Sequence, residues 1–419
     1  MVKRFFRIKL KGGHAVTVFD KKENCSGCGV CKAVCHENAI TMQQDACGFY
    51  YPNIDAERCV LCGKCRSNCH FINWSVPRNL FENVFAVQSK DADVLKKSQS
   101  GGLFAELAKS ILNLGGAVYG AAFNDLFEVC HIRIDSLGEL YKLQGSKYVQ
   151  SKTEGIFETV KRDLASGVPV LFSGTPCQVA ALYSYLGQKN ELLYTVDVVC
   201  HGVMAPALWK SYLSCMKKKY GEIAHADFRD KSFGWRAHYE TFMIGGKKIK
   251  KNIYRKIYYK NILLRPSCYR IKDDKYITAC KYAGTSRVSD ITIGDFWGIQ
   301  NETALFKNAD LGISLCMINT QNGNRLFESI KQNVLWQIRD ISEALAKQPH
   351  LSCNEAGVQM KAVETARRMY AKKGFRYIAS KYGENGVCGL YPKGVRFIQC
   401  AKKRVLKKMG FGTDRSRKS

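Results

Sequence analysis

The sequence lacks long apolar runs and is short of acidic residues. Across its 419 residues, no segment reaches the roughly 18 consecutive apolar residues of a membrane-spanning helix. Residues 1–10 are basic but contain neither an apolar core nor a small-residue cleavage site, so we expect no export signal and a cytoplasmic location. Asp and Glu number 36 against 65 Lys and Arg, a formal charge of +29. This imbalance favours acidic partners: a protein, a phosphorylated ligand or an anionic surface.

Signatures of several common functions are also missing. The chain has no recognised nucleic-acid-binding motif and its basic residues are spread widely, so we predict no nucleic-acid partner. No full G-x-G-x-x-G dinucleotide fingerprint is present. No conventional acid–base pair stands out. His201 follows a cysteine in a Gly-flanked turn, and is either a proton relay or an ordinary structural residue.

Cysteine, by contrast, is abundant, with 19 residues. Disulfide frameworks are typical of short exported chains, so tightly spaced cysteines in this long chain indicate metal ligands instead. Four cysteines recur with an offset of 34 residues: the run Cys25, Cys28, Cys31 and Cys35 returns as Cys59, Cys62, Cys65 and Cys69. Each run has the C-x2-C-x2-C-x3-C spacing of bacterial two-cluster ferredoxins.

This spacing suits 4Fe-4S clusters, because soft thiolates bind their iron and the fourth cysteine of each run serves the other cluster. The predicted ligand sets are Cys25, Cys28, Cys31 and Cys69 for one cluster, and Cys35, Cys59, Cys62 and Cys65 for the other. Zinc is the alternative, but zinc sites commonly use two C-x2-C pairs for four ligands. Gly27, Gly29 and Gly63 let backbone amides approach cluster sulfur. His36 and His70 stand where such runs usually carry proline.

The rest of the chain alternates between strand-like and helix-like segments. The sequence predicts strands at 84–88, 117–123, 168–172, 192–199, 290–295 and 314–320, helices at 102–114, 155–164, 176–186 and 206–220, and a hairpin at 240–249. This alternation predicts an α/β domain around a largely parallel or mixed sheet.

The composition divides the chain into three parts. We predict a ferredoxin-like 4Fe-4S module at 1–78, a larger α/β domain at 79–350 and a basic helical tail at 351–419. Residues 361–419 carry 17 Lys and Arg against 3 Asp and Glu. This charge indicates either a solvated tail or docking to an acidic protein or membrane surface.

Three turns rich in Gly and Ser are candidates for cofactor binding. Their residues are Ser100, Gly101 and Gly102, then Gly145, Ser146 and Lys147, and finally Ser173 and Gly174. The first turn separates a strand from a helix, where free amides and the helix dipole attract phosphate. Lys147 can contact a pyrophosphate. A plain tight turn and a solvated loop lysine are the alternatives.

With the cysteine runs and further motifs at 199–202, 228–235, 265–269 and 290–298, these turns resemble the coenzyme F420 hydrogenase/dehydrogenase beta-subunit family. The resemblance spans about residues 25–330. It is strongest to members from bacterial surface-polysaccharide gene clusters. It implies a flavin-containing iron-sulfur domain, with non-covalent FAD held by the eight residues of the three turns. It also implies electron exchange between clusters and a two-electron donor or acceptor.

A third 4Fe-4S cluster is predicted within the large domain. Four cysteines fall inside the family-like motifs: Cys177, Cys200, Cys268 and Cys280. Cys177 begins a helix, where the dipole is expected to lower its thiol pKa, and Cys200 ends the next strand at the same sheet edge. The family usually carries the last two as C-x2-C, but residues 271–279 separate them here. The alternative is that these are buried small apolar residues.

The function expected from these features is a cytoplasmic flavin- and iron-sulfur-dependent oxidoreductase. Its partners would be a redox protein or small electron carrier and a small-molecule substrate. The alternative is a non-catalytic electron-carrier subunit that feeds a separate enzyme and needs no flavin.

Overall fold

The structure is a computed structural model. It describes residues 8–9, 15–73, 78–237, 239–261, 263–269, 271–272, 277–278, 280–299, 305–306, 308–352 and 360–383. Of the predicted basic tail, residues 353–359 and 384–419 lie outside the described residues. Among the described helices, none combines the length and apolar character needed to cross a membrane.

The cysteine runs lie in a small N-terminal module of short elements. These are β1 (Ile8–Lys9), β2 (Ala15–Val16), α1 (Val30–Ala33), β3 (Ile40–Gln44), β4 (Tyr50–Ile54) and α2 (Lys64–Ser67). The strands form two antiparallel hairpins, β1–β2 and β3–β4. Each helix follows a left-handed glycine, Gly29 with φ 78° and Gly63 with φ 74°, a conformation that costs glycine nothing. The duplicated sequence therefore folds as a duplicated turn.

An eight-stranded mixed sheet forms the centre of the larger domain. In spatial order its strands are β17 (Val334–Ile338), β5 (Asn83–Ser89), β16 (Ser314–Ile318), β15 (Ile291–Asp295), β9 (Leu193–Val198), β8 (Val170–Gly174), β6 (Ala117–Phe123) and β7 (Val129–Ile134). The pairs β6–β8, β8–β9 and β9–β15 are parallel and the other four are antiparallel. The α/β class is confirmed, and the sheet is mixed.

Helices cover both faces of this sheet because successive residues of its strands point to opposite sides. The helices are α3 (Ala92–Lys97), α4 (Leu103–Asn113), α5 (Ile156–Ala165), α6 (Pro176–Leu186), α9 (Gln321–Glu328), α10 (Ile341–Lys347) and α11 (Pro349–Ser352). Within β8, Leu171 packs in one buried cluster with α4 and α9, while Val170 and Phe172 pack in another with α5 and α6.

An aromatic core lies beside the sheet and joins the N-terminal module to it. Its elements are α7 (Pro206–Tyr220), β10 (Ile223–Asp230), β11 (Tyr239–Ile244), β12 (Lys247–Lys251), α8 (Ile253–Tyr259) and α12 (Met360–Tyr382), the last broken at Gly374. Trp209 of α7 and Ile378 of α12 share one buried cluster with Phe49 of the module. Residues 360–382 of the predicted tail thus form two helical segments with buried residues.

Candidate electron-transfer site

The twelve predicted iron ligands form three groups of four cysteines. The inner set is Cys25, Cys28, Cys31 and Cys69, the outer set is Cys35, Cys59, Cys62 and Cys65, and the domain set is Cys177, Cys200, Cys268 and Cys280. All twelve are free thiols in described parts of the chain.

The inner set is gathered around Cys31. Burial raises the pKa of the Cys31 thiol, and the thiols of Cys28, Cys25 and Cys69 raise it further. The structure therefore brings Cys69, from the second run, to three cysteines of the first, in the crossed arrangement of two-cluster ferredoxins. In the outer set, burial raises the pKa of Cys65, with Cys59 and Cys62 adding to it.

Backbone amides around these sulfurs fit the chemistry of iron-sulfur ligands. Hydrogen bonds from backbone N–H groups act on Cys28 and Cys69 and oppose the burial that raises their pKa. The Ala39 N–H donates to Cys35 Sγ at 3.4 Å. Such donors stabilise the negative charge of a cluster and its thiolates. In the described residues no three His, Cys, Asp or Glu side chains are grouped for a single metal ion; a cubane spreads its ligands more widely.

The inner and outer sets differ in how far they are exposed to solvent. The inner set faces the larger domain: the Gln150 amide donates to the Ser26 carbonyl at 3.0 Å, and the Thr153 hydroxyl to the Cys28 carbonyl at 2.9 Å. Cys62 of the outer set is exposed, and beside it Leu61 is 51% exposed. One predicted cluster site is therefore enclosed and the other reaches the surface.

The domain set comes together at one edge of the sheet. Cys177 is the second residue of α6, which follows β8, and Cys200 follows the neighbouring parallel strand β9. A capping box of Thr175 and Gln178 fixes the start of α6. Cys268 ends the 3-10 turn Pro266–Cys268. These thiols are close enough to affect one another's pKa: Cys268 raises the pKa of Cys177, and Cys177 raises the pKa of Cys200.

Cys280 joins this group despite the segment that precedes it. Strands β13 (Ile271–Lys272) and β14 (Ile277–Thr278) pair antiparallel, so the extra segment leaves and returns at nearly the same place. The Cys280 thiol therefore lies near the other three members of the domain set and raises the pKa of each, Cys177, Cys200 and Cys268.

Our expectation that the helix dipole lowers the pKa of Cys177 is wrong. Burial, with the nearby Cys268 thiol, raises that pKa. Burial likewise raises the pKa of Cys200 to about 12, and raises those of Cys268 and Cys280. As free thiols these groups are protonated at neutral pH, and bound iron would displace their protons. The Gly202 N–H donates to Cys200 Sγ at 3.3 Å, a donor that suits a coordinating thiolate.

The inner set and the domain set are neighbours. The negative charge of Cys28 raises the pKa of Cys177. The charges of three thiols, Cys177, Cys28 and Cys280, likewise raise the pKa of Tyr282, after burial. The Tyr282 hydroxyl is hydrogen-bonded to His70 Nδ1, whose Nε2 lies 3.1 Å from Ser26 Oγ. His70 thus ties the module to the larger domain.

A cavity of about 290 Å³ opens beside the domain set. Cys200 and His201 line it, and so do seven of the eight predicted cofactor residues: Ser100, Gly102, Gly145, Ser146, Lys147, Ser173 and Gly174. Gly101 is absent from this lining. A Cβ there would lie 2.2 Å from the Val87 carbonyl oxygen, so this glycine serves the close packing of the turn on β5.

Several polar side chains of the cavity are held in place by hydrogen bonds that they donate to backbone carbonyls. The Ser100 hydroxyl donates to the Ile313 carbonyl at 2.8 Å, and the Ser173 hydroxyl to the Tyr119 carbonyl at 3.1 Å. Lys147 Nζ donates to the Gln144 carbonyl at 2.8 Å, and burial lowers the Lys147 pKa to about 7. The cavity therefore offers a cationic group whose protonation changes near neutral pH.

Other lining residues were not singled out from the sequence. Arg229 forms an ion pair with Asp295 at 2.6 Å and lies over the Trp297 ring at 5.6 Å. His131 Nε2 donates to the Ser173 carbonyl at 3.0 Å, which leaves Nδ1 to accept from the Ser151 hydroxyl at 2.6 Å. Arg229, Asp295 and Trp297 lie within the family-like motifs, so that signal was available; no local pattern marked His131.

Two family models match separate parts of this chain. Residues 24–72 match the family described as 4Fe-4S dicluster domain, and residues 169–344 match the family described as the C terminus of the beta subunit in coenzyme F420 hydrogenase/dehydrogenase. A search of curated proteins gives no match. A chain of the F420-reducing NiFe hydrogenase complex from Methanosarcina barkeri, solved as a xenon derivative, is 17% identical over 72% of this chain and 91% of that one, with a TM-score of 0.42.

Proposed function

We propose that this chain, which matches the C-terminal family of the coenzyme F420 hydrogenase/dehydrogenase beta subunit over residues 169–344 and the 4Fe-4S dicluster domain over residues 24–72, passes electrons between an external redox partner and a flavin. The reaction class is that of an iron-sulfur oxidoreductase. When bound, clusters exchange single electrons and a flavin exchanges one or two, which is the reason for holding both in one chain.

The observation that carries this proposal is the order of the three cysteine sets and the cavity. Cys62 of the outer set is exposed. The inner set takes one member, Cys69, from the second cysteine run. The thiol of Cys28 in the inner set raises the pKa of Cys177 in the domain set, so these two sets are neighbours. Cys200 of that set lines the cavity. The predicted ligands thus run from the surface to the cavity, as electron transfer to a bound cofactor requires.

The groups that line the cavity support a flavin by their chemistry. The cavity volume of about 290 Å³ is close to the lower end of ordinary cofactor pockets. Gly102 immediately precedes α4, in the left-handed conformation and with no side-chain cap, which leaves helix N–H groups for an anion. Lys147 lies on the same wall. We propose that these groups would hold the phosphates of FAD, which would supply two-electron chemistry beside the domain set.

The partner would dock at the outer set, where Val60 is 59% and Leu61 51% exposed. Exposed apolar residues beside a redox centre are typical of small, transient protein interfaces. We propose a redox protein there and a small-molecule substrate at the cavity. The resemblance to members from polysaccharide gene clusters supports a cytoplasmic role in surface-polysaccharide synthesis.

Anaerobic purification with iron, sulfide and flavin analysis tests the proposal. We expect about twelve iron atoms, for three 4Fe-4S clusters, and about one flavin per chain. Replacing both Cys28 and Cys62 with Ser should remove about eight iron atoms and abolish reduction of the flavin by a one-electron donor. Cys215→Ser, at a half-buried cysteine of α7, is the matched control and should change neither.

Two outcomes separate the alternatives. Wild-type iron content and flavin reduction in the double variant would refute the assignment of the two runs. Protein with full iron that releases no flavin on denaturation, and takes up none, would identify a carrier subunit instead.

A further inference from the structure

Arg265 is a long, charged side chain that the structure buries almost completely, with 1% of its surface exposed. Its Nε donates to the Cys25 carbonyl at 2.8 Å, and its Nη2 to the Tyr50 carbonyl at 3.0 Å and to Cys25 Sγ at 3.5 Å. Its Nη1 donates to Gln150 Oε1 at 2.8 Å. The guanidinium therefore reaches the inner set, while the carbonyl of Arg265 accepts a hydrogen bond at 3.0 Å from the N–H of Cys268, a member of the domain set.

The partners of this buried cation are unusual. They are two carbonyls, an amide oxygen and a sulfur, and among the described residues none is a carboxylate. The other buried arginines are paired: Arg287 with Asp197 and Arg229 with Asp295. A buried charge without a counter-charge is strongly unfavourable. The acidic groups that act on Arg265 are Tyr51, Cys25 and Cys268, two of which are predicted iron ligands.

The module makes room for this guanidinium at Gly27. Gly27 has φ 68°, and Leu61, its counterpart 34 residues later, has φ 58°. Leu61 shows that this turn accepts a side chain, so backbone conformation alone does not demand glycine at position 27. A Cβ on Gly27 would lie 2.7 Å from Arg265 Nη1. The two copies of the turn therefore differ where one of them receives Arg265.

We propose that Arg265 is a positioning residue that sets the reduction potentials of two clusters. One is the cluster held by the inner set, and the other is the cluster held by the domain set. The part that concerns the domain set rests on the proposed function. One-electron reduction adds a negative charge to a cluster and breaks no bond. A fixed positive charge at its ligands stabilises the reduced form, and thereby raises the potential. The missing counter-charge of Arg265 is then supplied by the clusters.

The test is a mediated redox titration of the full-length anaerobic protein, followed by electron paramagnetic resonance. In Arg265→Gln we expect at least a tenfold fall in the ratio of reduced to oxidised inner-set cluster at a fixed applied potential, which equals about 59 mV for a one-electron couple. The domain-set cluster should shift in the same direction. The outer-set cluster, whose ligands Arg265 does not contact in the described structure, should move less and serves as an internal control.

Two variants separate charge from shape. Arg265→Lys keeps the charge and should keep the wild-type potentials. Arg367→Gln makes the same change at an arginine that lies over the same Phe49 ring, at 5.9 Å against 5.5 Å for Arg265, and acts on Cys47. It should leave all potentials unchanged.

An unchanged inner-set potential in an iron-replete Arg265→Gln protein would overturn the proposal. So would an equal shift in Arg265→Lys, because the effect would then be geometric. If Arg265→Gln holds no iron, Arg265→Lys decides the question. Iron bound at wild-type potentials in Arg265→Lys would support the need for a positive charge, and loss of iron from it would refute the proposal. A wild-type protein with only about eight iron atoms would refute the domain-set cluster alone and leave the inner-set measurement intact.

Discussion

Arg287 offers a sharp test of how the domain set is held. Its guanidinium uses all five N–H donors: Nη2 reaches Asp197 Oδ1 at 2.7 Å and the Val198 carbonyl at 3.1 Å, Nη1 reaches the Tyr282 and Gly284 carbonyls at 3.2 Å each, and Nε reaches Thr292 Oγ1 at 3.0 Å. It thus ties the end of β9, which leads to Cys200, to the segment that carries Cys280. Replacing Arg287 with Met breaks this tie.

The expected loss of stability follows from burial. The side chains of Arg287 and Asp197 are 2% and 0% exposed, so Arg287→Met leaves a buried carboxylate without a counter-charge. Breaking a buried pair in this way costs about 3–5 kcal/mol. In a domain of this size each kcal/mol lowers Tm by about 2–4 °C, which gives a fall of about 6–20 °C. The double variant with Asp197→Asn removes both charges and should recover most of the loss.

Anaerobic differential scanning fluorimetry with iron analysis measures both effects. We also expect Arg287→Met to lose about four iron atoms, those of the domain set. Arg133→Met is the matched control: Arg133 pairs with Asp163 at 2.7 Å but is 31% exposed, so its loss should cost less than about 1 kcal/mol. A Tm within about 3 °C of wild type, with full iron, would refute the reasoning.

Three further predictions concern single residues. Cys200→Ser should lose about four iron atoms, whereas Cys316→Ser, at a buried cysteine inside β16, should lose none; iron analysis distinguishes them. Because burial lowers the Lys147 pKa to about 7, its positive charge is lost as pH rises through 7. FAD binding followed by fluorescence should weaken from pH 6 to 8 in wild type and stay flat in Lys147→Met. Gly27→Ala should lower Tm more than Gly29→Ala, since both have positive φ but only a Cβ on Gly27 meets neighbouring atoms within 4 Å.

Local signals in the sequence predicted much of the fold. The helices at 176–186 and 206–220 match their observed bounds because each begins with proline at its first turn, and the second is followed by Gly221, a pattern typical of helix ends. The central strands are continuous apolar runs and were placed to within two residues at either end. The edge strands β7 and β17 were missed: in β7 the apolar residues are interrupted by Cys130, His131 and Arg133, and three of the five residues of β17 are exposed, so neither is a continuous buried run.

The candidate site was less accessible to sequence reasoning, because its contacts are distant along the chain. Ligand spacing marked the cysteine runs, since three of the four ligands of each set lie within seven residues of one another. Arg265 meets Cys25 across 240 residues and Arg287 meets Asp197 across 90, and no spacing rule links such positions. The sign of the Cys177 pKa shift also depends on burial by the whole domain, which outweighs the helix end that the sequence revealed.

The buried cluster that contains Phe49, Trp209 and Ile378 has a consequence for kinetics. A ferredoxin-like module on a free tether would swing between its donor and its acceptor, and its turnover would slow in viscous solvent. Here the module shares its core with α7 and α12, so swinging would expose aromatic side chains to water. Internal electron transfer should therefore be insensitive to glycerol or sucrose, and only the encounter with the external partner should respond to viscosity.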